Sequence, residues 1–429
     1  MQVYLVGGAV RDKILGTKGY DRDFVVVGAT VQEMIDQGFT RVGHDFPVFL
    51  HPVTHEEYAL ARTERKNGHG YLGFNCDFSP TITLEEDLRR RDLTINAIAM
   101  DENGTVIDPY HGIDDLNKRV LRHVSEAFVE DPLRVLRVAR FAARFANLGF
   151  SIAPQTLELM RKIARSGELS SLTAERVWLE LQKALQTPDP QVFIHVLRKC
   201  EALRYVMPEV DNLYGVPGPL RWHPEIDSGV HTEMTLARIS IETENPVTRF
   251  AMLCHDLGKA LTPVQEWPHH HKHNVLGVAP LREMCRRLHV PNEYEDFAYI
   301  VVLHHSSMHH IYRSGPESIV NLLEKLDAFR KPERIKPWVM CCKCDFLGRK
   351  GFENRAFPRA DYFLGIFSLC CTVSAREFVA RGYKGKEIGE QIHRQRVRLV
   401  EDYLKIIPLT EKNDSANELP PAELYPHLY

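Results

Sequence analysis

The chain has 429 residues, 44% of them hydrophobic and 26% charged, and its 54 basic side chains against 57 acidic ones leave a net charge of −3. This composition excludes a disordered chain, a collagen-like chain and a coiled-coil rod. No run approaches the roughly 18 apolar residues of a membrane helix, and the start of the chain lacks the features of a signal peptide. Nine cysteines without regular spacing indicate a reducing compartment, so we expect a cytoplasmic protein with free thiols.

The first part of the chain, to about residue 110, alternates between strand-like and helix-like segments. Apolar runs at 3–6 and 24–27, each followed by glycine, predict two strands, and residues 9–15 between them predict a short helix. Residues 56–63 predict a further strand, whereas 93–100 fit either a strand or a helix.

From about residue 115 the pattern becomes helical. Asp131 followed by Pro132 predicts a helix start, and Gly149 predicts its stop. The remaining predictions are helices at 155–166, at 174–185 and onward to residue 404, a linker rich in Gly and Pro at 215–224, and a frayed end from residue 410.

The first candidate site combines glycines with paired carboxylates. Asp21 and Asp23 lead into a predicted strand, where residues two apart point to one face and can converge on one spot. Paired carboxylates suit Mg²⁺, which can activate an attacking hydroxyl and stabilise a leaving phosphate. The bare backbone of Gly7 and Gly8 could approach a triphosphate, and Arg11 could contact a phosphate oxygen. The alternative is an acidic surface turn with ordinary turn glycines.

Two arginine-rich segments follow. The segment LRRRD at 88–92 fits phosphate binding or a solvated basic turn equally well. In EDPLRVLRVARFAARF at 130–145 the basic residues are all arginine and recur at near-helical spacing, namely Arg134, Arg137, Arg140 and Arg144. A merely solvated helix face would use lysine as readily, so the planar guanidinium favours contacts to phosphates or base edges.

Asp131 and Arg134 suggest a way to select a base. A carboxylate can accept from the exocyclic amine of cytosine or adenine, and a guanidinium can donate to the ring nitrogen beside it. Uracil and guanine present a carbonyl where the amine should be, so facing acceptors would reject them. Such a pair would accept CTP and ATP and refuse UTP and GTP.

In this order the motifs closely resemble those of the bacterial class II tRNA nucleotidyltransferases, the CCA-adding enzymes, over the whole chain. The motifs are GGAVRD at 7–12, DRD at 21–23, RRDLTINA at 90–97, DPYHGIDDL at 108–116, EDPLRVLRVARFAARF at 130–145 and TAERVWLEL at 173–181. The resemblance implies an α+β fold with a polymerase-β-like nucleotidyltransferase head, an all-α neck and body, and an α-helical HD domain. The boundaries we expect are 1–139 for the head, 140–225 for the neck and body, 226–345 for the HD domain and 346–429 for a helical C-terminal part.

The resemblance also implies roles for the head residues. By likeness, Asp21 and Asp23 hold Mg²⁺; Gly8, Arg11 and Arg91 contact the nucleotide; Asp131 and Arg134 form the amino-acid template; and Arg137 and Arg140 also line the nucleotide pocket. Glu57 and Arg62 lie in a strand-like stretch that the family shares. The implied reaction adds C, C and A to the 3′ end of tRNA from CTP and ATP without a nucleic-acid template. We expect a monomer or a homodimer that does not bind membranes.

Histidine gives a second local signal, because 12 of the 21 histidines lie between His223 and His310. Imidazole and carboxylate side chains on several helices can hold one or two divalent ions, and a metal-bound hydroxide can attack a phosphoester. The order of such residues resembles that of the HD phosphohydrolase superfamily: His231, His255, Asp256, His273, His305 and Asp345. His305 rather than His304 fits the family, and the alternative is a set of ordinary histidines in a helical domain.

By this resemblance the segment belongs to the HD-containing form of the enzymes, the multifunctional CCA proteins. His255 and Asp256 are then catalytic as well as metal ligands, and the implied activities are 2′,3′-cyclic phosphodiesterase, 2′-nucleotidase and phosphatase. Nickel is the ion that the resemblance implies, although histidine ligands also allow Co²⁺, Mn²⁺ or Zn²⁺. The run at 269–271 is expected to be exposed and without a role, and the cysteines at 341–344 lack the spacing of a structural zinc site.

Two other functions fit parts of the pattern. A nucleotide-sensing regulator would combine an inert head with an HD effector domain, but the intact Asp21, Asp23 and Arg91 count against an inert head. A poly(A) polymerase would share the head motifs, but the net charge of −3 and the histidine cluster favour the CCA-adding enzymes.

Overall fold

The computed structural model describes residues 1–17, 22–42, 47–66, 74–221 and 223–406, with the backbone alone for 64–66 and 74–76. Within these ranges the chain divides into two compact units, Met1–Val206 and Met207–Tyr429. The boundaries expected at residues 139, 225 and 345 stay predictions about a finer subdivision. The frayed end expected from residue 410 lies outside the described residues.

The first unit is built on a mixed sheet of short strands. The strands of this unit are β1 Gln2–Val6, β2 Asp23–Val27, β3 Thr40–Val42, β4 Val48–Leu50, β5 Glu57–Leu60, β6 Thr63–Lys66, β7 Phe74–Asp77, β8 Ala99–Met100, β9 Val106–Ile107, β10 Val120–Leu121 and β11 Ser151–Ile152. Seven of them form one sheet in the order β3-β4-β5-β2-β1-β8-β9, while β6 pairs with β7 and β10 with β11. In the large sheet β2 and β5 run parallel, and the other neighbours are antiparallel.

Side chains pack on both faces of this sheet. Alternate residues of each strand point to opposite sides, so neighbouring residues belong to different cores. Val25 packs in a core with Leu88, whereas its neighbour Val26 packs on the other face with Met34 and Phe49. Asp23 lies two residues before Val25 and therefore belongs to the Val25 face.

Helices complete the first unit. They are α1 Gly8–Leu15, α2 Val31–Asp36, α3 Leu84–Arg89, α4 Gly112–Lys118, α5 Leu133–Phe145, α6 Pro154–Ser166, α7 Ala174–Leu185, α8 Pro190–Lys199 and α9 Leu203–Val206. Helices α2 and α3 each begin with a capping box, in which Thr30 or Thr83 pairs reciprocally with a glutamate three residues later. Helix α5 packs against α7 and α8, so the helical part of this unit has its own buried layer.

The predicted strands at 3–6 and 24–27 and the helix between them are confirmed. The ambiguous stretch 93–100 is neither one strand nor one helix, since a 3-10 turn at Thr94–Asn96 is followed by β8. The long helix begins one residue later than predicted: Pro132 caps it, and the Asp131 carboxylate accepts from the backbone N–H of Leu133 at 3.0 Å. The helix ends at Phe145, earlier than the predicted stop at Gly149, and Gly149, with φ of 80°, instead ends the 3-10 turn that follows.

The described part of the second unit is built from helices, apart from one isolated antiparallel bridge between Pro217 and Asp227. Its helices are α10 Pro208–Asp211, α11 Ser228–Glu242, α12 Pro246–Cys254, α13 His273–Leu276, α14 Val278–Leu288, α15 Asn292–His304, α16 Pro316–Lys325, α17 Ile335–Leu347, α18 Arg359–Cys370, α19 Ala375–Ala380 and α20 Lys386–Ile406, with 3-10 helices at Leu257–Leu261, Val264–Glu266, His305–Arg313 and Pro332–Arg334. Helix α12 packs against α11, α15 and α17. Its fully buried Phe250 and Leu253 form part of the core with Val301 and Trp338.

One stretch of the second unit, Arg359–Ala380, has the length and hydropathy of a membrane span, with a mean hydropathy of 1.5 and 22% of its most apolar part buried. It is divided between α18 and α19, which are separated by residues 371–374. Helix α18 has 12 residues and is therefore about 18 Å long, shorter than the ~30 Å apolar layer of a bilayer.

Candidate active sites

The turn from β1 into α1 brings backbone and guanidinium together. Gly7 has φ of 69° and ψ of −127°, a conformation available to glycine, and a Cβ there would lie 3.0 Å from Nη1 of Arg91. Gly8 opens α1, and its own Cβ would come within 3.4 Å of the Arg11 guanidinium. The glycine pair therefore lets two arginines from separate segments lie against the turn.

The described carboxylate of the predicted pair, Asp23, opens β2 and is exposed, while Asp21 lies outside the described residues. In the sheet Asp23 is in register with Glu57 of β5, which is also exposed. Because the strands are parallel, partners in register point to the same face. Glu57 is thus the acidic neighbour of Asp23, a pairing that the sequence alone does not reveal, although a glutamate that opens the next strand is a signal for it.

Arg11 points inward rather than to solvent. It is 2% exposed, its Nε donates to Asp12 at 2.8 Å, and its Nη1 donates to the side-chain oxygen of Asn96. Its guanidinium also lies over the rings of Phe141 and Phe145, at 5.3 and 5.1 Å. Burial lowers the pKa of Arg11. The structure thus gives this residue contacts that support both the turn and the C-terminal half of α5.

The arginines at 90 and 91 are held by one buried carboxylate, Asp87. Arg90 donates to it at 2.9 Å and Arg91 at 3.3 Å. Asp92, the next residue, accepts from Arg137 at 2.7 Å and from Asn96 at 3.0 Å. Burial alone would raise the pKa of Asp92, but the charge of Arg137 and these hydrogen bonds hold it well below its usual range.

The arginines of α5 each contact a different element. Arg134 is 7% exposed and donates to two backbone carbonyls, those of Ala127 and Arg90. Arg140 donates to the buried Glu180 of α7 at 2.6 Å, and Arg144 donates to Asp12 at 3.0 Å. Arg137, which pairs with Asp92, and Arg144 each keep about a third of their side chain exposed.

The side chains of Asp131 and Arg134, the predicted base-selecting pair, have different hydrogen-bond partners, although the backbone N–H of Arg134 donates to the carbonyl of Asp131 at 3.1 Å. The Asp131 carboxylate accepts from Arg176 of α7 at 3.0 Å and remains partly exposed. Arg134 is occupied by the carbonyls of Ala127 and Arg90. The two side chains are therefore held separately at the start of α5.

The second unit brings three predicted ligands together: Asp345 of α17 and two histidines that face it. Oδ1 of Asp345 lies 2.9 Å from Nε2 of His231 on α11 and 3.7 Å from Nε2 of His255, which follows α12. All three side chains are buried, and their ligand atoms lie within 4.8 Å of one another. This spacing is that of a group able to share one ion.

Asp256 joins a second group. Its Oδ1 lies 3.6 Å from Nε2 of His273 and 3.5 Å from Nε2 of His305, while its Oδ2 lies 3.2 Å from Nε2 of His255. His305 rather than His304 belongs to this group, in agreement with what the family resemblance implies. The HD pair thus touches both groups, with His255 in the first and Asp256 in the second.

The orientation of the imidazoles suits metal coordination. Nδ1 of His255 contacts the carbonyl of Met252 at 2.7 Å, Nδ1 of His305 contacts that of Val301 at 3.0 Å, and Nδ1 of His273 contacts that of His270 at 2.9 Å. A carbonyl can only accept, so each ring carries its proton on Nδ1 and turns the Nε2 lone pair toward the cluster. This is the arrangement by which outer partners orient metal-bound histidines.

Several polar atoms at this centre need a partner. Within the described chain, Nε2 of His255 and both carboxylate oxygens of Asp256 are buried without a hydrogen bond, although Nζ of Lys259 forms an ion pair with Oδ2 of Asp256 at 2.7 Å. Burial opposes a charged imidazole, but Glu225 and Asp345 outweigh it and raise the pKa of His231 to about 9. Burial dominates at His273, whose pKa falls to about 4. Buried imidazole nitrogens and carboxylate oxygens of this kind are suitable ligands for one or two divalent cations.

Three residues beside the centre were not predicted from the sequence. His309 lies one helical turn beyond His305 and places Nε2 3.2 Å from Oδ2 of Asp345. Glu225, in the segment that follows the predicted linker, lies 2.8 Å from Nδ1 of His231 and 2.9 Å from Nδ1 of His223. The spacing of His309 from His305 was the available signal, whereas that segment offered none.

The prediction of an exposed histidine run at 269–271 was wrong at its middle residue. His270 is 2% exposed and lies between the Thr262 hydroxyl and the carbonyl of Pro217, each at 2.7 Å. The backbone turns sharply here, with φ of 51° at His270, and this turn brings the ring inside.

The cysteines behave as free thiols where the structure describes their side chains. Cys341, Cys342 and Cys344 are buried in α17, and burial raises the pKa of each thiol. Among the described residues no cysteine joins the metal-capable groups.

Comparison with protein-family models gives three matches along the chain. The Poly A polymerase head domain matches residues 3–122, a probable RNA and SrmB binding site of polymerase A matches 149–214, and the HD domain matches 230–331. The first match contains the Gly7 turn and Asp23, and the last contains His231 through His305.

Whole-chain relatives agree with these matches. The multifunctional CCA protein of Shewanella frigidimarina is 54% identical over 94% of this chain and 97% of its own length. Among solved structures, the CCA-adding enzyme of Bacillus stearothermophilus in complex with CTP has a TM-score of 0.60 at 25% identity and covers 94% of this chain and 89% of its own. The CCA-adding enzyme of Thermotoga maritima complexed with tRNA shares the fold, with a TM-score of 0.59 at 21% identity over 100% and 92% of the two chains.

With an identity of 54% across nearly its whole length, and with the head and HD domains in the same order, this chain belongs to the family of multifunctional CCA proteins, enzymes that join a nucleotidyltransferase head to an HD phosphohydrolase domain.

Proposed function

We propose that the first unit adds C, C and A to the 3′ end of tRNA from CTP and ATP, without a nucleic-acid template. The observation that carries this proposal is the register of Asp23 with Glu57 on the sheet whose first strand ends at the turn of Gly7. It places acidic side chains and a phosphate-accessible backbone in one part of the head. Relatives whose structures contain CTP, ATP or tRNA support the choice of substrates.

Within this proposal Asp21 and Asp23 hold Mg²⁺, which when bound lowers the cost of charge on the attacking and leaving oxygens. Gly7 and Gly8 leave room for a triphosphate against the turn. Gly8, Arg11 and Arg91 position it: Arg91 by direct contact, and Arg11 by holding Asp12 and Asn96 beneath the turn.

The start of α5 selects the base in this proposal. Asp131 accepts from the exocyclic amine of C or A, and Arg134 donates to the neighbouring ring nitrogen. Arg137 and Arg140 line the same side, each braced by a carboxylate, Asp92 or Glu180. The contacts of Asp131 with Arg176 and of Arg134 with backbone carbonyls hold both side chains in place before a nucleotide arrives.

An extension assay tests the head. The full chain is mixed with tRNA lacking its last three bases, Mg²⁺ and labelled nucleotides, alone and in pairs. We expect two C and then one A, no product with Asp21→Ala or Asp23→Ala, and normal product with Asp36→Ala, which removes an exposed carboxylate of α2. A long A tail would indicate a poly(A) polymerase, and no incorporation by the wild type would favour the regulator with an inert head.

We also propose that the HD centre is a phosphohydrolase with 2′,3′-cyclic phosphodiesterase, 2′-nucleotidase and phosphatase activity. The supporting observation is that two of the three metal-capable groups among the described residues meet at the HD pair, while the third, His223, Glu225 and His231, shares His231 with the first. His231, His255 and Asp345 would hold one ion, and Asp256, His273 and His305 a second. Nickel is the ion we propose, and a bound ion of this class supplies hydroxide at neutral pH and polarises the phosphoryl oxygens.

The two activities form a repair sequence in which the HD centre clears a blocked tRNA end and the head then rebuilds CCA. A tRNA ending in a 2′,3′-cyclic phosphate tests the order. We expect His255→Ala to stop repair of this substrate while extension of an unblocked tRNA continues. The matched control is His271→Ala, which removes an exposed imidazole near the same centre. Unchanged repair by His255→Ala would contradict the proposal.

A further inference from the structure

Arg349, just beyond the end of α17, is a buried cation that forms no ion pair with any carboxylate of the described residues. It is 4% exposed, and its guanidinium lies 5.4 Å from the ring of Phe346 and 5.9 Å from that of Phe352. Across the ranges that the structure describes, its Nε has no hydrogen bond, and its polar contact is from Nη2 to Nε2 of His309 at 3.3 Å. No carboxylate of those ranges pairs with it.

Such an arrangement is costly unless an anion completes it, because a buried charge is normally paired and hydrogen-bonded. The same centre holds a direct contrast. Lys259 is about equally buried, at 5% exposure, and its Nζ lies 2.7 Å from Oδ2 of Asp256. The lysine is therefore paired directly with a carboxylate, whereas Arg349 interacts electrostatically with Asp345 but forms no ion pair with it among the described residues.

Arg349 reaches the metal-capable cluster through one side chain. Nε2 of His309 faces Nη2 of Arg349 at 3.3 Å and Oδ2 of Asp345 at 3.2 Å. A single ring nitrogen either accepts or donates, so it can satisfy the guanidinium or the carboxylate but not both. If an anion accepted from the guanidinium of Arg349, Nε2 of His309 would be able to donate to Asp345. The guanidinium, the imidazole and the carboxylate would then each have a partner.

We propose that Arg349 binds a phosphoryl oxygen of the substrate at the HD centre. The chemistry fits, because a guanidinium offers a planar fork of donors that matches phosphate oxygens. The ligand is a phosphate ester at a ribose end, and inorganic phosphate shares its chemistry. This inference rests on the proposed phosphohydrolase function, since it names the group that holds that reaction's anion.

Binding of inorganic phosphate to the metal-loaded full chain tests the inference without turnover, by titration calorimetry. We compare the wild type with Arg349→Gln, with Arg349→Lys, which keeps the charge, and with Arg355→Gln. Arg355 is the matched control, because its guanidinium lies 4.1 Å from the ring of Phe352 that Arg349 also approaches. We expect phosphate affinity to fall on the order of 10- to 100-fold in Arg349→Gln, to fall less in Arg349→Lys, and to stay unchanged in the control.

Metal content and kinetics distinguish phosphate binding by Arg349 from a structural role of Arg349 in holding the metal site. Metal per chain, measured by mass spectrometry, should be the same in all four proteins, and KM for a 2′,3′-cyclic nucleotide should rise in Arg349→Gln more than kcat falls. Wild-type phosphate affinity in Arg349→Gln would overturn the inference, as would a loss of metal that accounts for the whole effect.

The inference and the proposed function fail in different ways. A wild type that hydrolyses no phosphoester, yet binds phosphate through Arg349, would end the proposed activity and leave the anion site. If Arg349→Gln does not fold, as judged by circular dichroism, Arg349→Lys decides the question: an affinity below that of the wild type supports the site, and an equal affinity overturns it.

Discussion

Nη1 of Arg91 lies so close to Gly7 that a Cβ on that glycine would come within 3.0 Å of it. The two residues are far apart in the sequence, and they meet because Gly7 ends the turn after β1 while Arg91 follows α3. We therefore expect Gly7→Ala to displace Arg91 and to lower kcat/KM for nucleotide incorporation roughly 10- to 100-fold.

Gly16→Ala is the control for this change. Gly16 has φ of 68°, similar to that of Gly7, but a Cβ there meets nothing within 4 Å. We expect it to cost about 1 kcal/mol of stability and to leave incorporation unchanged. Gly7→Ala should cost more, about 1–3 kcal/mol, because its ψ of −127° is a glycine conformation. Equal activity of the two variants would show that the contact with Arg91 has no catalytic weight.

The pair of Asp92 and Arg137 predicts a pH-dependent contribution to stability. Burial would raise the pKa of Asp92, but Arg137 and Asn96 hold it below its unfolded value. Its stabilisation is therefore present above the unfolded pKa of about 4 and is lost as the pH falls toward the folded pKa. Asp92→Asn should lower the free energy of unfolding at pH 7 by about 1–3 kcal/mol, a range discounted because Arg137 is about a third exposed.

Urea titrations of the wild type and Asp92→Asn from pH 7 down to pH 3 measure this difference. It should shrink below about pH 4. A difference that stays constant with pH would mean that the carboxylate contributes through its shape or its neutral hydrogen bonds rather than through its charge.

Glu225 predicts an effect on metal affinity without being a ligand of either proposed ion. It lies 2.8 Å from Nδ1 of His231, whose Nε2 faces Asp345. Outer partners of this kind orient the imidazole, and their loss typically weakens metal binding 10- to 100-fold, roughly the effect we expect for Glu225→Ala.

Competition with a chelator of known affinity measures the dissociation constant of the metal in the wild type and in Glu225→Ala. Glu233→Ala is the control, because Glu233 lies on α11 with His231 but its carboxylate contacts the hydroxyl of Tyr214. This variant should bind metal as the wild type does. Equal weakening in both variants would point to a general loosening of α11 rather than to the orientation of His231.

Arg134 predicts a structural cost in addition to any effect on base selection. Its guanidinium donates to the carbonyls of Ala127 and Arg90 from a buried position, so Arg134→Ala leaves both acceptors without this donor. We expect a loss of about 2 kcal/mol in the free energy of unfolding, measured in urea. Arg161→Ala, on the surface of α6, should cost little. Unchanged stability in Arg134→Ala would show that these hydrogen bonds do not stabilise the fold and would leave base selection as the role of Arg134.

Local sequence was sufficient for the parts of this protein that depend on neighbours in the chain. The runs around residues 3–6 and 24–27 form strands, and the glycines and the helix between them stand where the pattern predicts. The order of motifs was enough to place the chain among the CCA-adding enzymes, because each motif is a short local element. The placement of His305 rather than His304 toward Asp256 also agrees with the pattern.

Tertiary structure decided which distant residues meet. Strand register sets Glu57 beside Asp23, and a sequence pattern does not specify register between strands separated by other elements. The buried His270 and the approach of Glu225 to His231 depend on chain turns that no periodicity encodes. Arg349 is the clearest case. As one arginine among many it has no distinctive sequence signal, and its charge becomes a feature of the site because it is buried beside His309 without an ion pair to any described carboxylate.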